Sequence, residues 1–192
     1  GGENNSLNPT TYTIESEEIV LQEPTIQSED YDGFIGWFSD KELRYEAQSI
    51  KQGSRGNKTF YAKWSSKYFL FDTHSKTITG LTDYGKTCSK IVIPEKLYNI
   101  TVASIGGSAF YGCKGLTSVT IPDSVTSIGG SAFEGCTSLT NVYYAGDIAT
   151  WCGINGLENI MSNSRTLYIG GKKVEGNLVI PNSVTSIGEW AF

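Results

Sequence analysis

The chain has 192 residues, a formal net charge of −5, and 39% apolar and 12% aromatic residues; its 15 Lys and Arg form no run or stripe. That length suits one medium domain or two small ones with a real core, and scattered cations on an acidic chain disfavour nucleic-acid binding, because phosphate neutralisation needs clustered positive charge. No apolar stretch nears the roughly 18 residues of a membrane span, so no membrane insertion is expected, and no signal segment is visible.

Residues 1–6 read as a tag or linker. Residues 7–64 follow and show no internal period. Alternation at Tyr12/Ile14 and at Phe60/Ala62/Trp64 predicts strands, and Gly53, Gly56 and Asn57 predict turns between them. Trp37 and Trp64 are expected to build the core of so small a module, with ligand contact the less frequent use of such aromatics. The acidic residues Glu15, Glu17, Glu18 and Glu23 read as a solvated face. The segments Gly36-Trp37-Phe38 and Phe60-Tyr61-Ala62-Lys63-Trp64 resemble the internalin-type B repeat, or Listeria–Bacteroides repeat. The resemblance implies a small β-grasp-like fold, used as a spacer or interaction module in bacterial surface proteins.

Residues 65–192 differ in chemistry. A capping segment is expected over 67–87, repeats over 88–144, a variant insert over 145–177, and a repeat resuming over 178–192. The pattern stops in mid-unit at Trp190-Ala191-Phe192, as in a piece of a longer protein. Ser104-Ile105-Gly106-Gly107-Ser108-Ala109-Phe110 recurs 23 residues later as Ser127-Ile128-Gly129-Gly130-Ser131-Ala132-Phe133. Ile-Pro recurs at Ile93, Ile121 and Ile180, and Val-x-Ser-Ile-Gly at Val102, Val125 and Val184. A period of 20–29 residues with spaced aliphatics is the mark of a leucine-rich repeat.

The spacing assigns roles within each unit. Leu116, Val119 and Ile121 point inward, and Ser118 and Thr120 outward, because strand side chains alternate. Pro122 ends the strand. Val125 and Ile128 fit a second short strand, Gly129-Gly130 a turn, and Ser131-Ala132-Phe133 a helical or 3-10 turn with Phe133 inside. One unit cannot bury its own apolar row, so units stack with their strands parallel. Glu95–Thr101 is longer than the matching stretch after Ile121. In the insert, Asp147 is placed to cap a short helix running to Cys152, and Leu167–Val174 reads as a hairpin turning at Gly170-Gly171.

The unit resembles the BspA-type leucine-rich repeats of bacterial surface proteins over about residues 68–192. The fold class expected for the whole chain is therefore mainly β: a small β-grasp-like module, then a leucine-rich-repeat solenoid with short helical or 3-10 turns.

Of the four cysteines, Cys113 and Cys136 fall at one repeat position and should form an internal column of thiols. Cys88 and Cys152 also lack a CxxC partner. Buried free thiols are the expectation, ahead of metal binding or redox chemistry. The single histidine, His74, reads as a solvated loop residue; pairing with Cys152 as a catalytic dyad lacks any nucleophile motif. No catalytic residue, metal site or cofactor is assigned.

Alignment on Val119 and Ile121 sets four pairs on the outer face: Lys90 and Val92, Ser118 and Thr120, Asn141 and Tyr143, Asn177 and Val179. Tyr143 is the best single candidate contact, since aromatics are over-represented at binding hot spots. The expected function is a non-catalytic module for adhesion or protein binding at the bacterial cell surface. The partner is expected to be a protein; that it is a host or matrix protein follows from the family resemblance. A structural stalk, or an accessory region of a larger surface enzyme, is the alternative. An apolar end at Phe192 predicts some end-to-end self-association.

Overall fold

The computed structural model describes residues 4–13, 15–25, 31–162 and 164–192, and only the backbone of Asp32. The chain is mainly β, and divides into two compact units, Gly1–Lys67 and Tyr68–Phe192.

In the first unit β1 (Ile19–Val20) pairs antiparallel with β3 (Ser49–Ile50), and β2 (Tyr31–Phe38) with β4 (Tyr61–Ser66). A register shift between Phe34 and Gly36 lets neighbouring aromatics share one side of β2. Phe34 meets both Trp37 and Trp64 edge-on, with centroids 5.6 and 5.4 Å away. Such pairs add about 0.5–1.5 kcal/mol beyond the area they bury. Trp64, Phe38, Leu43 and Ile50 are buried. Trp37 is half-buried, and its indole N–H donates to the Gln22 carbonyl at 3.0 Å. The strand expected at Tyr12 does not form, and Ile14 lies outside the described residues. A side-chain bond takes the place of a strand ladder there: the Tyr12 hydroxyl donates to the Gly56 carbonyl.

The second unit opens with β5 (Phe69–Asp72) and β6 (Thr77–Leu81), an antiparallel pair, followed by the short helix α1 (Asp83–Thr87), whose N-cap is Thr82. Next come β7 (Lys90–Val92), β8 (Lys96–Leu97), β9 (Ile100–Thr101) and β10 (Ser104–Ile105). The extra length after Ile93 is the β8–β9 hairpin. Its turn residues Tyr98 and Asn99 have φ of 57° and 62°, the positive values that a two-residue hairpin turn demands.

The repeat then winds on through β11 (Ser118–Ile121), β12 (Ser127–Ile128) and β13 (Asn141–Tyr144). Strands β7, β11 and β13 pair in parallel, with Ile91, Val119 and Val142 in one buried row. β6, β10 and β12 form a second parallel set, with Ile78, Ile105 and Ile128 in register. Alternation explains both: the odd-numbered side chains of Ser118–Ile121 are buried and the even ones are not.

Between the two sheets each coil turns through consecutive i+3→i bonds, among them Ala132 N to Gly129 O and Glu134 N to Ser131 O, both 3.2 Å. These turns also form a ladder. Ser108, Phe110 and Gly112 N–H groups donate to the Gly130, Ala132 and Glu134 carbonyls of the next coil at 3.0, 2.8 and 2.8 Å. The rings of Phe110 and Phe133 stack at 4.6 Å and 14° inside that turn. Truncating either ring to Ala leaves a cavity of the kind that costs about 3–5 kcal/mol.

Gly129-Gly130 opens the turn as expected, with Gly129 O accepting from Ala132 N. Positive φ belongs to Ser131, at 57°, as it does to Ser108 one coil earlier. Gly129 is needed for close approach, because a Cβ there would lie 2.5 Å from Gly107 N and 2.8 Å from Gly106 C.

The stretch expected as a variant insert over 145–177 adds a further strand to the parallel sheet. Helix α2 (Ile148–Cys152) starts at Asp147, whose carboxylate accepts from Thr150 N at 2.8 Å in a reciprocal capping box. A 3-10 turn (Leu157–Asn159) leads to β14 (Thr166–Ile169), which pairs in parallel with β13 throughout its length. The Gly170-Gly171 turn reverses the chain into β15 (Lys172–Lys173), antiparallel to β14. Asn155 bridges Ser127, and the Asn159 side chain accepts from Ser131 N at 3.2 Å, so a side-chain carbonyl stands where Gly130 O served Ser108. Trp151 is fully buried and donates its indole N–H to Ala191 O at 2.8 Å.

Candidate binding face

Strands β7, β11, β13 and β14 present one outward grid. Lys90 and Val92 are exposed, while Ser118, Thr120, Asn141, Tyr143, Thr166 and Tyr168 are half-buried. Register sets them in two rows. One row runs Lys90, Ser118, Asn141, Thr166; the other runs Val92, Thr120, Tyr143, Tyr168, and continues to Lys173 on β15.

The rings of Tyr143 and Tyr168 stack at 4.6 Å and 21°. Strand spacing of about 4.8 Å holds side chains in register at ring-stacking distance, so the parallel pairing itself preorganises this pair. Lys173 ends the row and pairs with Glu175 at 2.7 Å, a contact that raises the ammonium pKa.

Six of the eight residues aligned from the sequence meet on this grid. Asn177 and Val179 do not: they lie outside every strand, and the position beside Asn141 and Tyr143 belongs to Thr166 and Tyr168. The misplacement has a physical cause. β14 follows β13 at an offset of 25 residues (Asn141 to Thr166) and lacks the Ile-Pro that closes β11, so alignment on Ile121 ran on to Ile180. The signal was present in the alternation, since Thr166-Leu167-Tyr168-Ile169 repeats the pattern of Asn141-Val142-Tyr143-Tyr144.

The chemistry-bearing residues lie apart from this face. His74 is exposed in the β5–β6 turn, where its backbone N–H donates to Asp72 Oδ1 at 2.9 Å. The Ser75 hydroxyl first, and then the His74 N–H, hold the Asp72 carboxyl below its ordinary range. Burial pushes the thiols of Cys113, Cys136 and Cys152 up, the reverse of what a nucleophile or metal ligand needs. The Cys136 thiol is spent on the Phe110 carbonyl, 3.0 Å away. Among the described residues, no three His, Cys, Asp or Glu side chains gather as a metal site, and no helix is long and apolar enough to cross a membrane.

Six copies of the BspA-type leucine-rich repeat region match the sequence, over residues 53–151 and 83–192. Among solved structures, a leucine-rich cell surface protein of Faecalibacterium prausnitzii A2-165 is 38% identical over 41% of this chain, with a TM-score of 0.35. The match covers 22% of that protein's chain. A leucine-rich repeat protein of Bacteroides capillosus is 24% identical, covering 54% of this chain and 94% of its own, with a TM-score of 0.37. The T. pallidum leucine-rich repeat protein is 21% identical, covering 57% and 65%, with a TM-score of 0.32. No curated protein matches the sequence.

Proposed function

Since the chain belongs to the BspA-type leucine-rich repeat family, we propose that it is a non-catalytic module of a bacterial cell-surface protein that binds a protein partner through the outward grid of its parallel sheet. The observation that carries this reading is the stacked Tyr143–Tyr168 pair among Ser118, Thr120, Asn141 and Thr166. Tyrosine gives a large rigid contact at low entropic cost, and Ser, Thr and Asn give adaptable hydrogen bonds, which is the composition of a protein-binding paratope. Surface location rests on the family and on the Faecalibacterium relative being a cell surface protein.

In this reading residues 68–192 form a solenoid, supported by the parallel pairing of successive coils. The first unit is an internalin-type B module of β-grasp kind that spaces or assists the second, supported by its Gly36-Trp37-Phe38 and Phe60–Trp64 segments. Host or matrix proteins are the partner class we favour.

The test is an array of purified extracellular-matrix proteins probed with the 192-residue chain and with Tyr143→Ala and Tyr168→Ala. A specific partner whose affinity falls at least about tenfold in both variants supports the reading. Absence of any partner at micromolar concentration replaces it with a structural stalk, for which a regular stack of coils is equally suited.

A further inference from the structure

The outward row is uneven. Val92 is 68% exposed, and Thr120, the small residue beside it, separates it from the ring of Tyr143. Two strand spacings put Val92 and Tyr143 about 10 Å apart, with Thr120 as the floor of the step between them. Tyr168 stacks on one face of Tyr143, so the opposite face is on the Thr120 side. An aliphatic wall, a methyl-bearing floor and an aromatic wall suit one bulky apolar side chain.

Charge defines the neighbour of that side chain. Lys90 stands two residues before Val92 on the same strand, roughly 7 Å along it, and is exposed. Among the described residues no carboxylate pairs with it. None of the outward residues on β7, β11, β13 and β14 is acidic, although the chain carries 20 Asp and Glu. A cationic corner on an otherwise anionic protein selects an acidic partner, because complementary charge speeds encounter and like charge rejects the wrong one.

Resting on the reading of this face as the binding surface, the geometry points to the local chemistry of the partner. It is a peptide segment that seats one large apolar side chain on Thr120, between Val92 and Tyr143, with a carboxylate beside it at Lys90. A basic segment is refused by Lys90, and a segment without the bulky side chain leaves the step empty.

Three synthetic peptides in a Gly/Ser background test this: Trp flanked by Asp, Trp flanked by Lys, and Ala flanked by Asp. Binding to the 192-residue chain is measured by interferometry. Only the first is expected to bind. Thr120→Tyr fills the step and lengthens the stacked row, so it is expected to lower affinity at least about tenfold while the denaturation midpoint holds or rises. Lys90→Glu is expected to shift preference to the Lys peptide. Equal binding of the Asp and Lys peptides overturns the proposal. So does unchanged affinity in folded Thr120→Tyr, or failure of all three peptides to bind. If the peptides fail while a whole matrix protein still depends on Tyr143 and Tyr168, the step is wrong and the face stands; if both fail, the face falls too.

Discussion

Arg165 donates from Nη2 to the carbonyl of Phe133 at 3.2 Å, one coil beyond the point where the Cys136 thiol donates to the carbonyl of Phe110 at 3.0 Å. The guanidinium also donates to Ile160 O. A side chain on the irregular coil thus performs the task that the repeat gives to cysteine. Burial lowers the Arg165 pKa from its ordinary value, an effect that leaves so strong a base protonated.

Arg165→Ala leaves both carbonyls without this donor. The expected loss is about 1–3 kcal/mol, the range for orphaned buried polar groups, read as a lower urea midpoint with an unchanged slope. Arg165→Lys recovers little, since an ammonium cannot present the same planar fork. An unchanged midpoint in both variants contradicts the assigned role.

Gly129 and Gly130 are neighbours with opposite tolerance. Ala at 129 drives a methyl into the Gly106–Gly107 backbone, whereas Ala at 130 meets nothing within 4 Å and keeps a negative φ. Gly129→Ala is expected to cost upwards of about 2 kcal/mol, and Gly130→Ala to stay within about 0.5 kcal/mol of neutral. Paired thermal melts decide it, and equal melting temperatures defeat the close-approach argument.

Asp147 is held below the ordinary Asp range, first by the Thr150 backbone N–H and then by the Thr150 side chain. A carboxyl depressed on folding stabilises above its unfolded pKa, and that contribution is lost as pH falls through the folded value. Stability should therefore decline below about pH 4. Asp147→Asn, which keeps an N-cap acceptor without the charge, should flatten part of that acid limb while α2 persists. Urea midpoints between pH 7 and pH 2 measure this. An identical acid limb in Asp147→Asn rules out the assignment.

Ile187, Trp190 and Phe192 are exposed around buried Ala191, and Trp190 has φ of 60° at the repeat position that Ser108 and Ser131 hold. We propose that this apolar face gives the 192-residue chain the end-to-end self-association expected from its sequence. Sedimentation is expected to show concentration-dependent association. Trp190→Gly, which suits positive φ, should weaken it. A monomer at all concentrations counts against the contact.

The repeat made most of the second unit legible in advance. Val119, Ile121, Val125, Ile128 and Phe133 are all buried, as their spacing requires, because each must cover the coil beneath it. The Asp147 cap and the Gly170-Gly171 turn were readable because local chemistry decides them. β14 was legible as one arm of the Leu167–Val174 hairpin, but its place beside β13 was not, because pairing fixes that register and no Ile-Pro marks it. Tyr168 was missed for that reason. In the first unit Tyr12 misled because a distant turn carbonyl, invisible to a local pattern, claims its hydroxyl.

The ladder from Ser108, Phe110 and Gly112 to the following coil has a mechanical meaning. With the parallel strand pairs on either side, these rungs join each layer only to its neighbours, so tension at one end is expected to strip layers in turn. One layer of 23 residues releases about 80 Å of slack when drawn out. Pulled from its ends, the 192-residue chain is expected to yield in sawtooth steps, layer by layer, which single-molecule stretching reads.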